Sequence, residues 1–279
     1  MDPMLLNLIY ITGICTYALS LLFYISDCIS RNPVAKRIGT GLLAITALFQ
    51  FAGIGIRAME GGHFHLPVFT LFDFLFLLTF FITLTSIVLT YIKRSEFVAL
   101  LVNLIGFTIM LVNRLWFTTS DNALYSWETE HRLLLVHIAL ASISFAALTL
   151  GAVLAAIYMF LHWKLKTKRW NDTVRRLPSL EKLDLYSYKA LITGTSILVT
   201  SLLMAGLSVA VAGRWSLFLD IKVLSTLVAL AMYIIYFVKR RIRKGTGREA
   251  AAWALIGYGF IILNFFLNSW SAFHSWSGV

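Results

Sequence analysis

Charge is scarce in this chain: Asp, Glu, Lys and Arg make up only 13% of its 279 residues, while 59% are hydrophobic. A water-soluble domain needs more polar surface than that to cover its core, so a soluble globular protein is excluded and the solvent must be largely lipid. Cysteine is nearly absent as well. Cys15 and Cys28 fit no CxxC or metal-knuckle spacing and read as two unpaired small hydrophobes. The first apolar run has no basic n-region and no small-residue cleavage site, so it is expected to stay as a membrane span. Two-residue alternation is missing from the apolar runs, which excludes a transmembrane barrel. No nucleophile and base form a recognisable catalytic unit, so the chain is not expected to be an enzyme.

What is present is a series of long apolar runs. A bilayer crossing takes about 20 such residues, and eight runs reach that length, at about 4–25, 38–57, 67–92, 97–117, 132–162, 188–212, 218–238 and 250–272. The expected fold is therefore all-α: one integral-membrane domain, residues 1–279, with eight transmembrane helices. All but five of the 24 lysines and arginines fall in the loops after spans one, three, five and seven; the exceptions are Arg57, Arg114, Arg132, Arg214 and Lys222. The positive-inside rule puts the basic loops in the cytoplasm and both termini outside. The net charge of +11 thus follows from topology and attraction to anionic lipid, and no nucleic-acid partner is expected.

Six histidines can be placed on this map. His63 and His65 sit in "MEGGHFHLP" before span three, His131 and His137 at and just inside the outer start of span five, His162 at its inner end, and His274 at the outer end of span eight. A lone interfacial histidine is usually a snorkelling or hydrogen-bonding residue, and His131 and His162 read that way. His137 is different. It lies within "LLLVHIALASISF", among apolar and small neighbours, where an ionisable residue is costly without a partner. Two neutral imidazoles from different helices, His137 and His274, at a comparable outer depth are an arrangement that can hold a heme iron from both sides. Arg57, Arg114, Arg132 and Arg214 are outer-side cations able to pair with heme propionates. Asp73, about two turns into span three, reads either as a buried carboxyl tying helices together or as a group shaping the outer cavity.

The stretches around these histidines resemble the CcsA/ResC/HemX family of cytochrome c assembly, whose members handle heme in membranes. "LLVHIALASISFAALTLGAVLAAIYMF" is similar to the family helix that opens with an external heme-ligand histidine, and "GTGREAAAWALIGYGFIILNFFLNSWSAFHSW" to the last helix, which ends in a second one. "GHFHLPVFTLFDFL" resembles a Gly-His, Pro and acidic pattern, with Asp73 where a glutamate is usual. Synthase members carry a WGxxWxWDPKE loop that presents heme. The corresponding "GRWSLFLDIKV" keeps Asp220 and Lys222 but only Trp215 among the tryptophans, and the synthases' inner histidine is replaced by Val238. Both departures fit the HemX branch.

The resemblance implies a multi-pass protein of the bacterial cytoplasmic membrane that binds non-covalent, b-type heme near its outer face. His137 and His274 would be axial ligands, with His63 and His65 as alternatives. Arg57, Arg114, Arg132, Arg214, Trp215, Asp73 and Asp220 would line the pocket or hold propionates. Implied partners are heme, lipid, and glutamyl-tRNA reductase or cytochrome c assembly proteins. The implied role is heme homeostasis or transport linked to control of glutamyl-tRNA reductase levels. The alternatives are heme delivery to cytochrome c and a ligand-free membrane scaffold.

Overall fold

Helix boundaries in this chain are written in short polar punctuation between apolar runs. In "SRNPVAK" Asn32 accepts the Val34 and Ala35 backbone N–H groups at 3.0 and 3.3 Å, and Pro33 follows at the first helical position. That is an N-cap with the residue best suited to come after it. A computed structural model of the protein describes residues 3–59, 71–92, 94–116, 128–168, 172–211, 213, 215–243 and 247–266. These form α1 (Pro3–Ser30), α2 (Pro33–Met59), α3 (Leu71–Thr90), α4 (Glu96–Trp116), α5 (Glu128–Lys166), the short α6 (Asp172–Arg176), α7 (Leu180–Val211), a 3₁₀ turn (Trp215–Leu219), α8 (Ile221–Arg243) and α9 (Gly247–Phe266).

The fold is all-helical, as expected. Seven of the helices, α1 to α5, α7 and α8, are long and apolar enough to cross a membrane, and the eighth expected run falls on α9. Large apolar side chains such as Leu22, Leu48, Phe51 and Val88 point outward, while Ser20, Thr46, Gln50, Thr79 and Asn103 are fully buried. A surface of that kind is solvated by hydrocarbon. The differences from the sequence reading are at the ends: α7 starts eight residues before the apolar run, because Glu181, Lys182 and Asp184 continue the helix beyond the length a bilayer needs.

Three cations adopt the left-handed region: Arg31 (φ 53°) and Lys168 (φ 55°) just past the ends of α1 and α5, and Arg94 (φ 62°) in the link between α3 and α4. A side chain in this region is strained by about 1–2 kcal/mol, which at Arg31 and Lys168 attraction to the negative end of the helix partly offsets.

Two compact units make up the chain, Met1–Arg132 and Leu133–Val279. In the first, α1 pairs extensively with α2, α3 with α4, α2 with α3, and α4 returns to α1, giving a four-helix arrangement. Its core holds Leu6, Tyr10, Tyr17, Tyr24, Leu43, Phe72, Phe76 and Met110, with the Tyr10 ring edge-on to Phe72 and Phe76 at 5.1 and 4.8 Å. In the second, α8 pairs with α9 through Asn264, whose side chain donates to Thr226 at 2.8 Å and accepts from Ser225 at 2.6 Å. The Thr149 and Tyr258 hydroxyls join α5 to α9 at 2.8 Å.

Candidate functional site

In the second unit, α5 and α7 meet along a seam of small residues. On α5 the residues are His137, Ser144 and Gly151, seven apart; on α7 they are Ser187, Gly194 and Ser201, also seven apart. Because the helices run antiparallel, the two rows meet in three layers. Ser187 Oγ donates to the Gly151 carbonyl at 3.0 Å, and Ser144 Oγ donates to the Gly194 carbonyl at 2.8 Å. In the third layer Ser201 Oγ donates to the His137 carbonyl at 2.9 Å. Two glycines allow this closeness. A Cβ on Gly151 would lie 2.6 Å from Leu191 Cδ2, and one on Gly194 would lie 2.8 Å from Leu148 Cγ and 3.1 Å from the Leu148 backbone nitrogen. Small residues at a lipid-embedded seam let backbones approach until side chain to carbonyl bonds close.

The third layer holds the histidine. His137 Nδ1 is 2.8 Å from the Ser201 carbonyl oxygen and 2.9 Å from Ser201 Oγ. A carbonyl can only accept, so Nδ1 is the donor in that contact. The ring is half-buried and Ser201 is fully buried. This is the kind of support a ligating imidazole uses: one ring nitrogen donates to a fixed oxygen that sets the ring's orientation.

The remaining residues expected at a heme site fall in several places. His63, His65, Arg214 and His274 lie outside the described residues; Arg132 is on the first turns of α5. Arg57 and Asp73 are brought together in the first unit as a fork-to-fork pair, Nε to Oδ1 at 2.9 Å and Nη2 to Oδ2 at 2.8 Å. Asp73 thus ties α3 to α2. Arg114 donates through Nη2 to Asn7 Oδ1, joining α4 to α1. Trp215 is largely exposed on the 3₁₀ turn and stacks on Phe218 at 6.0 Å. Asp220 is buried at the N-cap position of α8, where its carbonyl accepts the Leu224 N–H at 3.0 Å and its charge sits at the positive end of the helix. His162 stacks on Tyr158 at 6.2 Å.

Sequence reasoning missed Ser201, though the signal existed in the matching sevenfold spacing of small residues on two runs. It also missed Asp184, which holds Arg240 through Oδ1 and Oδ2 at 2.7 and 2.6 Å while the guanidinium lies 4.7 Å from the Tyr188 ring centre.

Residues 68–274 match the cytochrome C assembly protein family. The chain is 31% identical to Protein HemX of Brevibacillus brevis over 268 residues, 96% of this chain and 97% of that protein. It is likewise 31% identical to Protein HemX of Bacillus subtilis over 265 residues, 95% of each. A shorter match, 24% over 143 residues, reaches the cytochrome c biogenesis protein CcsA of Gloeothece citriformis, covering 50% of this chain and 43% of that one. The matched region starts ahead of α3, so the family segment comprises α3 onward and includes the whole His137 seam. On these likenesses the chain belongs to the cytochrome c assembly protein family, as a multi-pass membrane protein of HemX type.

Proposed function

We propose that this protein binds heme through the Nε2 atom of His137, with His274 as the second axial ligand, and serves heme homeostasis or transport in the bacterial cytoplasmic membrane. The observation that carries the reading is the 2.8 Å contact from His137 Nδ1 to the Ser201 carbonyl. It selects the tautomer able to ligate and supports the ring from behind, which suits a neutral imidazole bound to iron. Bound heme would be b-type and non-covalent, and would supply a redox-active iron. The chain's own residues hold and orient it: Ser201 fixes the ring, and the Gly151 and Gly194 layers set its height along α5. Arg132 and Arg214 are the cations proposed for the propionates, because Arg57 is already bidentate to Asp73 and Arg114 donates to Asn7. With no nucleophile and base in the reading, the role is handling rather than catalysis. His63 and His65 are the alternative ligands.

The test is an absorption spectrum of the purified protein with hemin added. Wild type is expected to give a Soret band typical of bis-histidine heme, and His137→Ala and His274→Ala each to lose it. A preparation that cannot be loaded, or a band unchanged in both variants, overturns the reading and favours a ligand-free scaffold.

The likeness to CcsA favours a second reading, delivery of heme to cytochrome c. Deleting the gene separates the two. A change in glutamyl-tRNA reductase abundance with covalent cytochrome c intact supports the HemX-type role, whereas loss of covalent cytochrome c supports delivery.

A further inference from the structure

Asn103 is fully buried on α4, and neither atom of its amide has a hydrogen-bond partner among the described residues. Gln50 Oε1 on α2 and Asn113 Oδ1 on α4 are in the same condition. The Tyr17 hydroxyl on α1, fully buried and facing Thr83, belongs to the same interior. These groups share one interior. Asn103, Gly106, Met110 and Asn113 follow one another along one face of α4, a strip about 15 Å long. Gln50 Nε2 reaches Met110 Sδ at 3.6 Å. The Tyr17 oxygen lies so close to Gly106 that a Cβ there would be 2.3 Å away.

Buried amides and phenols without partners are destabilising, and several in one small unit would cancel much of its stability. Ionisation cannot relieve an amide, and hydrocarbon supplies no partner. A bound species with both donor and acceptor capacity can. Thr79 and Thr83, fully buried on α3, add further hydroxyls to the same interior, and Gln50 Nε2 already donates to Thr79 at 3.3 Å. An internal water needs two to four polar partners, and this strip offers them from four helices.

We propose that the first unit binds a cluster of internal water molecules along α4 between Asn103 and Asn113, contacting Tyr17, Gln50 and Thr83. The waters join otherwise isolated groups into one hydrogen-bonded column. The site does not rest on the heme reading, since its residues belong to the first unit and His137 to the second.

The test is X-ray radiolysis of the full-length protein in lipid nanodiscs after equilibration in ¹⁸O-water, with labelling located by mass spectrometry. Radicals form from the bound waters themselves, so buried side chains beside them are oxidised. Tyr17 is expected to label about tenfold faster than Tyr236, which is comparably buried but has Arg240 at its hydroxyl. Met110 should also carry the isotope. Asn103→Leu should bring Tyr17 labelling down to the Tyr236 level. Wild-type Tyr17 labelling no faster than that of Tyr236 overturns the proposal, and this comparison decides the matter even if Asn103→Leu does not fold.

Discussion

The α5–α7 seam and the interior along α4 embed polar groups in different ways. Between α5 and α7 the polar atoms are short hydroxyls bonded straight to backbone carbonyls across a seam that glycine keeps narrow, and every layer is closed. Along α4 the polar groups are long and branched: Tyr17, Gln50, Asn103 and Asn113 reach into the interior, and several of their atoms have no partner among the described residues. A closed seam fixes register, because sliding one helix by a residue breaks all three layers together. An interior with unanswered polar atoms fixes less by itself. His137, the proposed ligand, stands in the first kind of environment, where a small displacement matters most.

Removing one half of a buried ion pair should have the largest effect. Asp73→Ala removes the carboxylate that Arg57 grips at a site where the two side chains, Asp73 and Arg57, are only 9% and 18% exposed, and should destabilise the first unit by about 3–5 kcal/mol in thermal or denaturant unfolding. The double replacement Asp73→Leu with Arg57→Met should recover most of that loss; if it does not, the pair does more than tie α2 to α3.

Next is Gly194→Ala in the seam. The added methyl meets the Leu148 backbone, which cannot rotate away, so a loss of about 1–3 kcal/mol is expected, together with weaker hemin retention. Equal loss of stability with unchanged hemin affinity would separate the seam from His137. Arg240→Ala should cost only about 1 kcal/mol, because this pair is 24% and 30% exposed and water can replace the partner. Ser201→Ala removes one of the two oxygens facing His137 Nδ1 but keeps the carbonyl. The expected cost is about 1 kcal/mol, with the Soret band retained and its position shifted.

Much of the architecture could be read from sequence because apolar run length is a property of each segment alone. The eight runs needed no partner to be recognised, and Asp73 and His137 stood out as ionisable groups in apolar surroundings. The ends were less legible. Leu180 opens α7 ahead of its apolar run because a helix continues wherever backbone hydrogen bonding and capping allow, and Ser179 Oγ accepts the Lys182 N–H there. Arg57 illustrates a different limit. Its charge and side of the membrane suggested an external carboxylate as partner, whereas the structure supplies the carboxylate of Asp73, sixteen residues on. Ser201 was passed over because one serine in a membrane helix resembles any other, and its meaning depends on a histidine 64 residues away.

Composition and run length by themselves determined that the protein is helical, lipid-embedded and crossed many times, since transfer free energy adds residue by residue along a segment. Only the tertiary structure decided that His137 is held by Ser201, that Arg57 belongs to Asp73, and that Asn103 is enclosed with its amide unanswered. Those outcomes depend on which faces of distant helices meet and at what height. Pairing of that kind is settled by packing and hydrogen-bond geometry between segments, which no single stretch of sequence contains.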